Sequence, residues 1–303
     1  MRRNLSLFNI VVMAALLLAA CSPAATPAPA TSAPQAEAPA ESQAEAPAAA
    51  SIEGCLGSAE TALVDLNCRV ITIAVENAYL PFNYIELDTG EPAGWDYDAW
   101  TDICTRLHCV PSWQEVGWDA LIQSVADGQY DVGADGLTYT PVRAEQVDFS
   151  IGYIQIQQRL LVRLGEDRFS SIEEFVATDL ILGTQSGTTN YETAITYLPE
   201  DRIRAYDTFP FAIQALLAGD LDAIMIDEVA GMGYLGDNAD KIGFIGGPLT
   251  SEELGFIFPL GSDLIDPVNQ AIQAMMADGS LAALNVKYFG PDFDITYDDI
   301  VTD

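Results

Sequence analysis

Arg143 is the scarce element of the run DGLTYTPVRAEQVDF, residues 135–149, in a chain with 12 Lys plus Arg against 45 Asp plus Glu. It follows Asp135, Gly136, Thr138, Thr140 and Pro141. A guanidinium is a planar fork that holds a carboxylate with two parallel bonds. Each hydrogen bond to a charged group contributes roughly 1.5–3 kcal/mol. Further along, Gln185, Gly187, Thr188 and Thr189 lie where a strand-like stretch gives way to a helix-like one. Free backbone N–H groups and the helix dipole favour an anion there. Asp227 closes the apolar run DAIMI and offers a counter-charge for an ammonium, and Thr138 can bond either group. One carboxylate and one ammonium together describe a zwitterionic α-amino acid. Tyr79 and Trp118 supply flat faces for a side chain, and Glu76 and Asp135 supply further carboxylates. Singly, each has an ordinary role, since a Thr or Asp after a strand usually caps the next helix and an aromatic usually belongs to the core. It is their shared placement at strand ends that gives them joint weight.

The elements that must position these residues alternate between two periods. RVITIAV, 69–75, is β-branched and apolar, a buried strand. WDYDAWTDICTRL, 95–107, reads as a helix. Trp118, Leu121, Ile122 and Val125 mark an amphipathic helix ended by Gly128. YDVGAD, 130–135, and DLILGT, 179–184, read as strands, the second followed by a helix that Thr188 or Thr189 can cap. Phe209, Ile213, Leu216 and Leu217 mark a helix stopped at Gly219, and DAIMI, 222–226, is the next strand. A late helix begins near Asp263, and SLAALNVKYFG forms one more. Strands alternating with helices predict parallel α/β units. Ligands of such sheets bind beyond the carboxyl ends of the strands, which is where the residues above fall. There is no Gly-x-Gly-x-x-Gly after a strand, no Walker loop and no fixed-period repeat, which argues against a nucleotide fold.

Composition narrows the function classes. Half of the 303 residues are apolar, enough for a core, and the formal net charge is −33. Such a chain repels phosphate backbones, so no nucleic-acid partner is expected. It would draw small cations by steering. MRRNLSLFNIVVMAALLLAAC has a basic start, a short apolar run and small residues, the secretory pattern. Its ending, Leu18-Ala19-Ala20-Cys21, resembles a bacterial lipobox, which implies cleavage of residues 1–20 and lipidation of Cys21. Residues 21–52 then read as an Ala/Pro-rich tether with too little apolar content for a core. Four cysteines follow: Cys55, Cys68, Cys104 and Cys109. An even number in an exported chain favours two disulfides. Of three pairings, Cys55–Cys68 and Cys104–Cys109 are preferred because each closes a local loop. Metal binding competes weakly, since His108 is the only histidine and no Cys-x-x-Cys exists. No metal and no other cofactor are expected.

The stretches ENAYLPFNY, GWDYDAW, DGLTYTPVRAEQVDFS, GTQSGTTNYE and GDLDAIMIDEVAG, in unbroken order over roughly residues 69–292, resemble the extracellular solute-binding proteins of ABC amino-acid importers. The most specific part is the Thr-x-Thr-x-x-Arg run ending at Arg143. The resemblance implies that Arg143 grips a ligand carboxylate and Asp227 the α-amino group. Gly136, Thr138 and Thr189 would supply backbone and hydroxyl bonds, and Tyr79 and Trp118 the aromatic pair. Three positions depart from the pattern: Glu76 stands where many relatives carry Asp, Asp135 where a small or hydroxyl residue is common, and Pro141 inside a usual Thr-Asp-x-Arg. Proline suits a first helical turn. Glu76 and Asp135 facing the ligand would favour a cationic side chain, with Tyr79 and Trp118 stacking on it. The alternative is that one of them is protonated or bonded to a neutral amide such as glutamine.

The resemblance further implies a two-lobed periplasmic-binding-protein-like α/β fold of type II. Each lobe is a mixed, mostly parallel sheet flanked by helices, and two strands cross between the lobes near 153–157 and 246–250. Lobe 1 would comprise 53–156 plus 250–303, and lobe 2 157–249. The expectation is a monomeric, membrane-anchored extracytoplasmic receptor that closes on its ligand and hands it to a permease. A sensor presenting its closed form to a signalling receptor is the alternative. An enzyme on the same fold is disfavoured by the single histidine.

Overall fold

A computed structural model of the protein describes residues 52–290 and 292–301. The expected signal segment, the lipidation site Cys21 and nearly all of the tether lie outside the described residues. Among the described residues no helix is long and apolar enough to cross a membrane.

The two-lobed α/β fold is built on two five-stranded sheets of the same design. In the first, strand order is Cys109–Glu115, Arg69–Val75, Val132–Gly133, Ile257–Pro259, Val147–Phe149. The first three run parallel, and Ile257–Pro259 inserts antiparallel between its two neighbours. In the second, the order is Ile203–Tyr206, Leu182–Gln185, Ala223–Asp227, Gln158–Arg163, Ile242–Ile245. Again three strands are parallel and the fourth, Gln158–Arg163, is antiparallel to both neighbours. All five residues of Ala223–Asp227 are buried, as a central strand covered on both faces requires. Between the sheets, Ile154–Ile156 and Glu252–Leu254 pair antiparallel, the first within the crossing expected at 153–157 and the second just beyond the one expected at 246–250.

Burial of large apolar side chains holds each lobe. In the first, Trp95 stacks on Tyr153 at 4.6 Å, Tyr153 meets Phe256 at 4.6 Å, and Trp100 meets Phe256 at 5.3 Å. In the second, Phe169, Phe175, Leu182 and Met225 share a separate core. Burying each such side chain contributes about 1.5–3 kcal/mol. The preferred disulfides, Cys55–Cys68 and Cys104–Cys109, are both formed. The second joins the last turn of the helix Trp95–Leu107 to the strand that follows it. Cys55, Cys68 and His108 offer ligand atoms within 4.8 Å of one another, but both sulfurs are joined in the first disulfide and are not available as thiolates.

Several local expectations shift. The strand read over 130–135 is only Val132–Gly133, because the chain bends at Asp135 and Gly136 toward the cleft. The strand read over 179–184 is Leu182–Gln185. The helix expected to begin at Pro141 is a three-residue 3-10 turn, Arg143–Glu145, before the chain enters the strand Val147–Phe149. The late helix begins at Ile265, two residues beyond Asp263.

Candidate ligand-binding cleft

The carboxyl ends of the parallel strands in both sheets converge on one cleft. Glu76 directly follows Arg69–Val75, Asp135 and Gly136 follow Val132–Gly133, Gln185 ends Leu182–Gln185, and Asp227 ends Ala223–Asp227. Trp118 opens the helix Trp118–Ala126. Thr188 caps the helix Thr189–Tyr197, its hydroxyl accepting from the Tyr191 N–H. Asp227 sits at the equivalent cap of Glu228–Leu235 but makes no side-chain cap bond. Its carboxylate is turned into the cleft instead.

The structure brings together all eleven residues singled out for a ligand. Glu76, Tyr79, Trp118, Asp135, Gly136, Thr138, Arg143, Gln185, Thr188, Thr189 and Asp227 line one cavity with about 310 Å³ of atom-free space. Asn190 and Phe209 complete the lining. Sequence reasoning missed Asn190 and took Phe209 only as an apolar helix marker. The available signal was position, since both lie in the first turn of a helix that follows a strand of the second sheet.

Arg143 is 7% exposed, which sets it apart in so acidic a chain. Its Nη1 donates to the Thr138 carbonyl at 3.0 Å and its Nη2 to the Gly187 carbonyl at 3.5 Å. The guanidinium lies over the Trp118 ring, 5.5 Å from its centroid. Among the described residues no ion pair joins it, whereas Arg69, Arg106, Arg159, Arg163 and Arg168 each pair with an acid. Burial holds its pKa below the usual range, partly offset by Glu192, Glu252 and Asp227. It stays charged, because guanidinium does not deprotonate in proteins. A buried cation lacking a carboxylate is poised to receive an anion.

The opposite side of the cavity is acidic. The Asp227 carboxylate accepts from the Tyr79 hydroxyl and, at 3.2 Å, from Asn190 Nδ2. Burial raises its pKa to about 7, with Glu252 adding and with Tyr79, Asn190 and Arg143 opposing. Glu76 accepts both contacts of Gln185 Nε2, at 3.0 and 3.2 Å. Burial raises it to about 7 against bonds from Gln185 and the Trp118 N–H, and Asp119 adds to the rise. Asp135, fully buried, is raised well above the ordinary carboxylate range by burial and then by Glu76 and Asp96. Three carboxyls therefore face one guanidinium.

Aromatic packing shapes the remaining wall. Tyr79 stacks between Phe82, at 5.1 Å, and Phe209, at 5.7 Å. Gly136 has φ +55°, and a Cβ there would lie 2.6 Å from Tyr79 Cε1, so only glycine lets the ring sit against the backbone. Several bonds span the cleft between the two sheets' residues: Tyr79 to Asp227, Gln185 to Glu76, Arg143 to Gly187, and Thr138 to Thr189 at 3.4 Å. Thr189 also accepts from Gln158 Nε2 at 3.2 Å, and the same nitrogen donates to Glu252 at 2.8 Å. Gln158 thus links the cleft to the strand Glu252–Leu254.

Comparison with known proteins places this cleft in a family. The L-cystine-binding protein TcyJ of Escherichia coli (strain K12) is 28% identical over 225 residues, covering 73% of this chain and 83% of that protein. The L-arginine-binding protein of Pseudomonas aeruginosa is 29% identical over 238 residues, covering 74% and 89%. Among solved structures, the arginine-, lysine-, histidine-binding protein ArtJ from Geobacillus stearothermophilus superposes with a TM-score of 0.68 at 28% identity, covering 75% of this chain and 98% of that one. The family model matches residues 71–291, a stretch that contains every residue of the cavity and both sheets apart from Arg69 and Val70, and the chain belongs to the bacterial extracellular solute-binding proteins, family 3.

Proposed function

We propose that the protein is a lipid-anchored extracytoplasmic receptor that captures an α-amino acid with a cationic side chain and delivers it to the permease of an ABC importer. It is a binding protein, not an enzyme. Cys21 carries the anchor after removal of residues 1–20, and residues 21–52 are the tether. Residues 53–156 with 250–303 act as lobe 1, and 157–249 as lobe 2.

The charge complement of the cavity carries this reading. Arg143 takes the ligand carboxylate, aided by the N–H groups at the start of Thr189–Tyr197. Asp227 takes the α-ammonium, with Thr138 and Thr189 bonding either group. These two charges account for the zwitterion. Glu76 and Asp135 remain for the side chain, beside Trp118; the faces of Tyr79 are taken by Phe82 and Phe209, so it offers the site its hydroxyl rather than the stacking face the sequence suggested. Among the described residues lining the cavity Arg143 is the only basic one. Glutamate would bring a second carboxylate with no second cation to meet it, and cystine a second carboxylate together with a second ammonium. The P. aeruginosa and G. stearothermophilus relatives, named for arginine among their ligands, support the same direction.

A neutral amide ligand is the second reading. Glu76 accepts from the Gln185 amide, and a ligand amide could make the same bond. An ancestral arginine-binding protein, 26% identical with a TM-score of 0.68, was solved bound to glutamine.

A thermal-shift screen against the twenty amino acids, ornithine and cystine separates these. The cationic reading expects arginine, lysine or ornithine to give the largest rise in melting temperature. Glutamine or glutamate alone giving a rise would overturn it.

A further inference from the structure

Behind the cavity lies a pair of buried carboxyls that does not reach the ligand space as a whole. Asp135 lines the cavity, but Asp96, in the first turn of the helix Trp95–Leu107, does not. Both are 0% exposed. One amide group joins them: Asn83 Nδ2 donates to Asp96 Oδ2 at 2.9 Å and to Asp135 Oδ1 at 2.6 Å. The amide cannot flip without loss, because Asn83 Oδ1 accepts from the Asn77 N–H at 2.9 Å. Each acid keeps one buried oxygen without a partner, Asp96 Oδ1 and Asp135 Oδ2, and the nearby Tyr153 hydroxyl is also unpartnered. The groups facing the pair are acids, amides and phenols: Glu76, Asn83, Tyr79, Tyr97, Tyr153 and Tyr288. Two buried carboxyls that share one neutral amide, with only the Glu76 N–H added beside Asp135, do not both ionise in a dry site.

We propose that Asp96 and Asp135, joined through the Asn83 amide, hold a proton behind the cavity that a cationic side chain displaces. Binding of a cationic amino acid is then linked to proton release from this pair, and binding of a neutral one is not. Asp96 is thereby a specificity-determining residue that acts through Asp135. The proposal rests on the cationic reading above and names how the site is regulated.

The chemistry balances without a co-reactant. A carboxylic acid of the pair loses H⁺ to solvent as the ligand's ammonium or guanidinium arrives, and the charge of the site is conserved. Burial raises Asp96 to about 7 against the bond from Asn83, so the pair is protonated near neutral pH before ligand arrives. Any amino acid brings an α-ammonium to Asp227, itself raised to about 7, so proton release from Asp227 is common to all ligands. The difference between a cationic and a neutral ligand isolates the side-chain end of the cavity.

Calorimetric titration of the protein at pH 7 with L-arginine, L-lysine and L-glutamine, each in two buffers of different ionisation enthalpy, counts the protons released. The expected result is about one proton more for arginine or lysine than for glutamine. Arginine affinity then rises with pH relative to glutamine, by up to about tenfold per pH unit below the pair's titration and by less as pH approaches 7. Asp96→Asn should shrink the difference while leaving the glutamine count unchanged. Equal counts for cationic and neutral ligands in the unaltered protein would overturn the proposal, and so would a difference untouched by Asp96→Asn, since the proton would then belong to Asp135 or Glu76 without Asp96. Failure of arginine and lysine to bind at all would remove the cationic reading, and the proposal with it.

Discussion

Replacing Arg143 with alanine should abolish ligand capture and leave the free fold almost unchanged. The side chain is buried, and its bonds run to two carbonyls, Thr138 and Gly187, with no acid partner. Truncation removes a desolvated cation, which favours the free protein, and leaves the Thr138 carbonyl short of one donor, which opposes it. These effects are each about 1–3 kcal/mol and of opposite sign, so the melting temperature of the free protein should move by only a few degrees. Binding loses two charge-assisted bonds to the ligand carboxylate, roughly 3–6 kcal/mol in all, or about two to four orders of magnitude in Kd. Arg143→Lys keeps the charge without the fork and should lose about half as much. Differential scanning fluorimetry of the free protein and calorimetry with ligand read the two quantities separately. A collapse of the free melting temperature would make Arg143 structural. A Kd within threefold of the original would remove it from the ligand site.

Two further outcomes follow from the same geometry. Gly136→Ala places a methyl against the Tyr79 ring in a left-handed backbone. About 1–2 kcal/mol of stability should be lost, and because the displaced ring leaves Asp227, affinity should fall at least about tenfold, read by denaturant melts and calorimetry. The pH dependence of the free protein has an unusual sign. Glu76, Asp96 and Asp227 are each raised to about 7 in the fold, from 4.5 or 3.8 when free. The folded state therefore holds more protons than the unfolded one across that window, and the contribution of these groups is lost as pH rises toward 7 and beyond. Melting temperature without ligand should be higher at pH 5 than at pH 8, and Asp96→Asn should flatten the slope. A melting temperature that rises from pH 5 to 8 would contradict the buried-carboxyl account.

Much of the cleft was legible in the sequence, for a physical reason. Buried central strands are written as apolar runs, so Arg69–Val75 and Ala223–Asp227 could be read, and the polar residues at their ends had to be at one end of a parallel sheet. Helix stops were equally plain, with Gly219 adopting the left-handed cap after Phe209–Ala218. The strand Cys109–Glu115 escaped because it is an edge strand, paired on one side only and carrying Pro111. Ile257–Pro259 escaped because three residues give no period to detect. Contacts between residues far apart in the chain were not legible at all. Tyr79 reaches Asp227 across 148 positions. The Asp96–Asn83–Asp135 set joins a helix start, a short hairpin strand and a strand end, and no local pattern announces it. The departure of Asp135 from the family pattern could be seen, but not the partner that gives it meaning.

The most direct test of the central claim is a calorimetric comparison at neutral pH of L-arginine, L-lysine, L-ornithine, L-histidine, L-glutamine, L-glutamate and L-cystine. A cavity with one guanidinium for the carboxylate, Asp227 for the ammonium and two further carboxyls predicts one-to-one binding that is tightest for arginine or lysine. Tight binding of glutamine, glutamate or cystine, with none of arginine, lysine, ornithine or histidine, would contradict it.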